Sequence, residues 1–268
     1  MKDKVVIITG ASSGIGKALA FEMAARGAKV VLAARSGDKL QEIESELRAL
    51  GASVISIPTD VSREEDCRKL VTDTVQYFGR IDILINNAGI SMRALFEQSG
   101  LDVLRRLMEV NFWGTVYCTK FSLPYLLKSK GSVVGVSSIA GNKGLPGRTG
   151  YSASKFAIQG FLETLRIENL KNGLHVLIAC PGFTSSNIRN TALAADGTTQ
   201  GESPRDENSM MKAEDVAIKI ANAIGSRKQI LVLTLQGKLI VFLNKIFPFI
   251  LDRIVYNQLA KEPDSPFK

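Results

Sequence analysis

The sequence predicts an α/β protein: one doubly wound domain whose parallel sheet of about seven strands carries helices on both faces. Three observations predict it. Short runs rich in Val, Ile and Leu alternate with amphipathic stretches of helical period through the first 180 residues. These runs are apolar on both faces, as strands covered by helices on both sides must be. The first of them, VVIIT, leads straight into a glycine-rich turn and a helical pattern. Such alternation implies parallel strands joined by right-handed crossovers. With 268 residues, 45% hydrophobic and 22% charged, the chain can fill one large core. No repeat or linker divides it, so residues 1–268 read as a single unit.

In chain order, VVIIT (5–9) precedes GKALAFEMAARG, and KVVLAA (29–34) precedes DKLQEIESELRAL. VISIPTD (54–60) precedes EEDCRKLVTDTVQYFG, and IDILINNAG (81–89) precedes a long helical pattern from Leu101 to Lys128. GSVVGVSS (131–138) precedes the helix Tyr151–Leu170, then LHVLIAC (174–180) follows, and ILVLTL (230–235) reads as the last strand. Residues 184–210, rich in Gly, Ser, Thr and Asn, are too long for an ordinary connection. Because they follow a strand's carboxyl end, where open α/β sheets hold ligands, they read as a mobile lid; the alternative is a surface insertion. Over 237–260, Leu239, Ile240, Leu243, Ile246, Phe247, Ile250, Leu251 and Ile254 form one apolar arc. Pro248 is expected to kink or split this helix, since it has no N–H for the Asn244 carbonyl. Three placements remain open for the extension: packed on the body or a partner subunit, lying on lipid headgroups, or walling the substrate cleft.

The net charge is +8, and half of that excess falls after Gly225. This favours anionic partners without choosing among them. Cys67, Cys118 and Cys180 are odd in number and widely spaced, which excludes a disulfide scaffold and any CxxC metal motif and suits a reducing compartment. With one histidine, His175, neither a His-rich metal site nor a Ser-His-Asp triad is expected. A strand starting at residue 5 leaves no room for a signal peptide, and no run of eighteen apolar residues suggests a spanning helix. Nucleic acid is not an expected partner, because nothing beyond net charge points to it.

The turn after the first strand reads Thr9-Gly10-Ala11-Ser12-Ser13-Gly14-Ile15-Gly16. Glycines let the backbone turn sharply and approach an anion, while the following helix offers free N–H groups and partial positive charge. The spacing is GxxxGxG, not GxGxxG. An acid about 20 residues on would bind the 2′-hydroxyl of NAD. At the end of the second strand stand Ala33-Ala34-Arg35-Ser36 instead. A guanidinium suits a 2′-phosphate, so NADP(H) is the expected cofactor.

Tyr151 and Lys155 lie at i and i+4, on one helical face. A nearby ammonium is expected to lower the phenol's pKa from its usual ~10. Ser138, ending a strand, is placed to hold a carbonyl oxygen, and Asn111 to orient a water next to Lys155. His175, Cys180 and Trp113 read as structural, whereas Phe183 and Met92 read equally as cleft or core.

With these residues in hand, the chain resembles the short-chain dehydrogenase/reductase family, in its Tyr-x-x-x-Lys subset. The matching elements are TGASSGIG (9–16), Asp60-Val61, NNAG (86–89), Asn111, Ser138, YSASK (151–155) and Pro181-Gly182, with 13 residues from Ser138 to Tyr151. They cover about two-thirds of the chain. The resemblance implies a Rossmann-type fold and hydride transfer between a nicotinamide and a carbonyl. It implies Tyr151 as proton donor, Ser138 as its partner, Lys155 on the nicotinamide ribose and Asn111 on the proton route. For the cofactor it implies Gly10, Ser12, Ser13, Gly14, Ile15, Gly16, Arg35, Ser36, Asp60 and Val61 at the phosphates and adenine. Asn87, Ala88, Gly89, Pro181, Gly182 and Thr184 would surround its centre and nicotinamide end. The Ala-Arg-Ser signature, the insertion and the greasy tail resemble the lipid- and steroid-active, hydroxysteroid-dehydrogenase-like branch, which implies a lipophilic ketone or aldehyde. Alternatives are a 3-oxoacyl thioester reductase and a non-catalytic NADPH sensor. The expected assembly is a homodimer or homotetramer in the cytoplasm, with peripheral membrane contact through the C-terminal helix as a further possibility. No metal is expected.

Overall fold

The computed structural model describes residues 1–184, 188–201, 210–261, 265 and 267. Seven strands form one sheet: β1 (Val5–Thr9), β2 (Lys29–Ala34), β3 (Val54–Pro58), β4 (Ile83–Asn86), β5 (Ser132–Val136), β6 (His175–Cys180) and β7 (Ile230–Val232). Their order is β3-β2-β1-β4-β5-β6-β7, and every pairing is parallel. Val6 of β1 stands between Val30 of β2 and Ile83 of β4. The order reverses between β1 and β4, which opens a crevice at the carboxyl ends of the strands.

Helices α1 (Gly14–Ala25), α2 (Gly37–Ala49) and α7 (Ala213–Gly225) cover one face, burying Leu19, Met23, Leu40, Leu47 and Ile220 against the sheet. Helices α3 (Glu64–Phe78), α5 (Gly114–Ser129) and α6 (Thr149–Glu168) cover the other with Leu70, Cys118, Leu126, Ile158 and Leu162. Fully burying each such side chain contributes about 1.5–3 kcal/mol. His175 is structural as expected: its Nε2–H donates to the Lys228 carbonyl at 2.8 Å, so Nδ1 accepts from the Ser132 hydroxyl at 2.9 Å.

Three local expectations need correction. The pattern Leu101–Lys128 is not one α-helix: α4 (Leu101–Leu107) passes into a widened π-turn, Met108–Trp113, before α5. Asn111, inside that turn, spends its side chain on other backbone, which marks where the regular ladder gives way. Strand β7 stops at Val232 rather than residue 235, because the Thr234 hydroxyl accepts from the Gly237 amide at 3.0 Å and caps α8 (Leu235–Ile246). Trp113 is not packed inside; it is 41% exposed and stacks on Tyr117. At Pro248 the C-terminal helix does split, into α8 and α9 (Pro248–Ala260), with Pro248 at the first helical position of the second.

Candidate active site

The turn after β1 is held from below. The Thr9 hydroxyl accepts from the amides of Asn87 and Ala88, both at 3.0 Å, and Asn87 Nδ2 donates to the Thr9 carbonyl at 2.9 Å. Gly10 takes a positive φ of 66°, and a Cβ there would stand 2.8 Å from Ala88 Cα. A Cβ on Gly16 would come within 2.1 Å of the Gly10 carbonyl oxygen. Gly16 is therefore a packing residue that lets α1 close on the loop.

Above this turn lies a cavity of about 760 Å³. Its described lining includes Gly10, Ser12, Ser13, Gly14, Ile15, Arg35, Ser36, Asp60, Val61, Asn87, Ala88, Gly89, Ser138, Tyr151, Lys155, Pro181, Gly182 and Thr184. The crevice thus brings together every sequence-designated residue except Gly16 and Asn111. Lys39, one turn into α2, joins Arg35 on the lining, and sequence reasoning missed it. Phe183 lines the cavity, whereas Met92 is fully buried beside Leu107 and Leu193. From the long insertion, Ile188, Arg189, Thr191, Leu193, Thr199 and Met210 reach the same wall. Residues 185–187 and 202–209 of that insertion lie outside the described residues.

Tyr151 and Lys155 are both buried on one face of α6. The Ser138 hydroxyl lines the same wall as the Tyr151 phenol and accepts from the Ala140 amide at 3.1 Å. Lys155 Nζ donates to the Val136 carbonyl at 2.8 Å and stands 5.7 Å from the Tyr151 ring centroid. Burial lowers the Lys155 pKa to about 8. Burial likewise raises the Tyr151 phenol above its ordinary value; the neighbouring Ser138 hydroxyl and the Arg148 charge oppose that rise. This corrects the expectation that Lys155 pulls the phenol down, because the ammonium is turned toward β5 and the opposing charge is Arg148.

Asn111 stands behind this wall. It is fully buried and off the cavity wall, with Oδ1 accepting from the Ile90 amide at 2.8 Å. Its Nδ2 donates to the Ile90 carbonyl at 3.0 Å and to the Ser154 hydroxyl at 2.8 Å. A Cβ on Gly89 would stand 3.2 Å from Asn111 Oδ1 and 3.4 Å from Lys155 Nζ. Asn111 therefore fixes the 88–90 loop against α6, next to the lysine.

The C-terminal pair supplies the remaining wall, which sequence offered only as one of three placements. Gln236, Gly237, Ile240, Val255, Gln258 and Leu259 face the cavity. Among the described residues there is no group of three or more His, Cys, Asp or Glu side chains placed to hold a metal, and no helix is long and apolar enough to cross a membrane.

Comparison with known proteins places this geometry. The family model described as short chain dehydrogenase matches residues 4–196. An 11-beta-hydroxysteroid dehydrogenase 1A of Arabidopsis thaliana is 40% identical over 235 residues, 85% of this chain and 64% of the relative. An 11-beta-hydroxysteroid dehydrogenase-like 2 of the same plant is 46% identical over 187 residues, 69% of this chain and 60% of the relative. The chain thus spans less than two-thirds of the length of these curated relatives. Among solved structures, a short chain dehydrogenase/reductase from Burkholderia phymatum in complex with NAD superposes with a TM-score of 0.83 at 27% identity, covering 91% of this chain and 93% of that one. An alcohol dehydrogenase from Thermococcus sibiricus, complexed with 5-hydroxy-NADP, gives 0.76 at 25% identity over 87% and 96%. The chain belongs to the short chain dehydrogenase family.

Proposed function

We propose that this chain is an NADP(H)-dependent oxidoreductase that interconverts a lipophilic ketone or aldehyde and its alcohol. The observation that carries the reading is the convergence of Ser138, Tyr151 and buried Lys155 on the wall of a cavity that the glycine turn also lines. The donor set fits a phosphorylated dinucleotide. Arg35 and Lys39 are the cations nearest the end of β2, and that strand carries no acid to repel a 2′-phosphate. The turn Gly10–Ile15 would hold the pyrophosphate, Asp60 and Val61 the adenine, and Lys155 with the 181–184 segment the nicotinamide end. When bound, the reduced cofactor supplies the hydride. Tyr151, kept protonated by burial, donates its proton to the carbonyl oxygen, and Ser138 holds that oxygen beside it. Lys155 stands ready to restore the proton through its neighbours, and Asn111 fixes the loop that shapes that corner.

A lipophilic substrate is supported by Leu145, Ile188, Leu193, Met210, Val255 and Leu259 on the outer wall, and by relatives named as hydroxysteroid dehydrogenases. The same wall supports the described part of the insertion, residues 188–201, as a cover over the site and 237–260 as an extension of one catalytic unit. The exposed aromatic and apolar residues Trp113, just before α5, Tyr125 on α5, and Phe156 and Ile167 on α6 support a homo-oligomer. The decisive experiment is NADPH oxidation across hydrophobic ketones and aldehydes by wild type and Tyr151→Phe. The variant should bind NADPH and lose about 10²–10⁴-fold in turnover; near-native turnover would remove Tyr151 as the acid.

A further inference from the structure

Tyr151, Lys155 and Gln159 share one face of α6, at i, i+4 and i+8. Gln159 is half-buried beside the core residues Ile158 and Leu162. An amide so placed costs free energy unless it is hydrogen-bonded. Its Nε2 donates to the Ser137 hydroxyl at 3.0 Å and reaches Cys180 Sγ, at the end of β6, at 3.9 Å. Ser137 is buried and immediately precedes Ser138. Its hydroxyl donates to the Lys155 carbonyl at 3.3 Å, and its amide to the Ala179 carbonyl of β6 at 2.8 Å. Beyond Ser138, the short 3-10 turn Ile139–Gly141 closes on the same place. A Cβ on Gly141 would stand 2.3 Å from Gln159 Nε2, 2.6 Å from Ser137 Oγ and 2.9 Å from the Lys155 carbonyl oxygen. Only a glycine permits that approach, so the Gln159 amide lies against the chain both before and after Ser138. Ser138 and Tyr151 stand on different elements, and whatever joins the end of β5 to α6 sets their separation. Lys155 Nζ is one joint, through the Val136 carbonyl at 2.8 Å, but it also lines the cavity, where a nicotinamide ribose would compete for it. The Gln159–Ser137 joint has no second duty.

We propose that Gln159 is a positioning residue, which through Ser137 sets the distance of the Ser138 hydroxyl from the Tyr151 phenol. The proposal rests on the oxidoreductase reading and deepens it. Gln159 touches neither substrate nor cofactor; it acts through the strand end that carries the serine. A reacting geometry displaced by about 1 Å loses about 10²-fold in rate, so one such joint matters to turnover.

The test uses this chain with 1-tetralone and decanal as probes, reduced with NADPH, and with 1-tetralol oxidised by NADP⁺. Gln159→Ala should lower kcat about 10–100-fold while KM and the NADPH Kd stay within about twofold of wild type. Ser137→Ala removes the acceptor and leaves the amide in place, and it should give the same loss. The double variant should lose no more than about twofold beyond either single, because both break one joint. The pH profile separates positioning from packing. The Ser138 hydroxyl opposes the rise of the Tyr151 phenol, so a displaced serine lets the phenol rise further. The ascending limb of kcat for 1-tetralol oxidation should therefore move up by about 0.5–1 pH unit in each variant. Arg148, Lys155 and Cys180, the charged or titratable groups facing the phenol, are unchanged in all of them. Crystal structures of wild type and Gln159→Ala with NADPH should show the Ser138 Oγ to Tyr151 Oη separation lengthened by about 0.5–1 Å. An unchanged separation, an unmoved limb, or kcat losses that add in the double variant overturns the proposal. Failure of wild type to reduce any hydrophobic ketone or aldehyde overturns the oxidoreductase reading, while the two crystal structures decide the placement of Ser138 by themselves.

Discussion

Asn244 of α8 donates its side-chain amide to the main-chain carbonyl of Asn142 at 2.8 Å, tying the C-terminal helix to the turn that follows Ser138. Asn142 in turn donates to the Ser138 carbonyl at 3.3 Å and to Cys180 Sγ at 3.4 Å. One residue on, Lys143 pairs with Asp252 of α9. The Lys143 side chain is 8% exposed and that of Asp252 61%. Removing the carboxylate strands a mostly buried charge, whereas removing both partners does not. Asp252→Asn should therefore cost about 1–2 kcal/mol, since water still screens the exposed partner, and should raise KM more than it lowers kcat. Lys143→Met with Asp252→Asn should recover most of the stability. Thermal unfolding of the singles and the double checks it, and additive losses would dissolve the clamp.

Lys155 gives a pH prediction with a definite sign. Burial lowers its folded pKa to about 8, against 10.5 for the free group. Between these values the unfolded chain binds more protons, so this group's contribution to stability rises with pH across that window. It is complete above pH 10.5 and lost as pH falls through about 8. At pH 7 the folded cofactor-free protein carries a buried ammonium that it would be more stable without. Lys155→Met should thus raise the melting temperature at pH 7, by an amount that shrinks as pH rises from 8 toward 10.5, while turnover is lost. A variant less stable at pH 7 than wild type would show that the Val136 hydrogen bond outweighs the burial of charge.

Arg35 lies at the end of β2, where the family's NAD-binding members are expected to carry an acid. Arg35→Asp removes a cation and adds a repulsive anion against a 2′-phosphate. Affinity for NADP⁺ should fall about 10²-fold or more, and that for NAD⁺ should hold or improve. Calorimetric Kd values for both cofactors decide it. Comparable losses for the two would mean that Lys39 holds the phosphate alone or that Arg35 only shapes the loop.

What was legible in the sequence was whatever is local or fixed by the end of a strand. The seven strands show because a doubly covered sheet is apolar on both faces, and Tyr151 with Lys155 shows because four residues make one helical turn. Arg35 shows because its strand ends there. What was hidden depends on contacts far apart in the chain: Arg148 meets Ser91 across 57 residues, Asn244 meets Asn142 across 102 and Lys143 meets Asp252 across 109. No periodicity encodes such pairs. Gly16 and Asn111 were legible by spacing, yet their atoms serve packing and loop fixation rather than the cavity lining. The sign of the Tyr151 shift was illegible because it depends on how deeply the fold buries the phenol.

The last prediction concerns the outer side of the C-terminal pair. Leu251 and Val255 face inward, leaving Phe242, Ile246, Phe247, Phe249, Ile250 and Ile254 exposed, Phe249 by 83%. Lys238, Lys245 and Arg253 are exposed on the same two helices, and their one acid within the helical spans, Asp252, is already engaged by Lys143. Apolar and aromatic side chains bordered by cations suit the headgroup layer of an anionic bilayer, from which a lipophilic substrate would meet the wall formed by Ile240, Val255 and Leu259. This chain should therefore float with vesicles containing phosphatidylserine, more weakly as salt is raised. Phe249→Glu with Ile250→Glu should reduce binding by at least about tenfold, since each buried side chain contributes about 1.5–3 kcal/mol, with NADPH affinity unchanged. Deleting the pair is the wrong experiment, because it would remove a wall of the cavity as well. Negligible flotation of wild type, or flotation equal to that of the double variant, would assign these side chains to a protein partner.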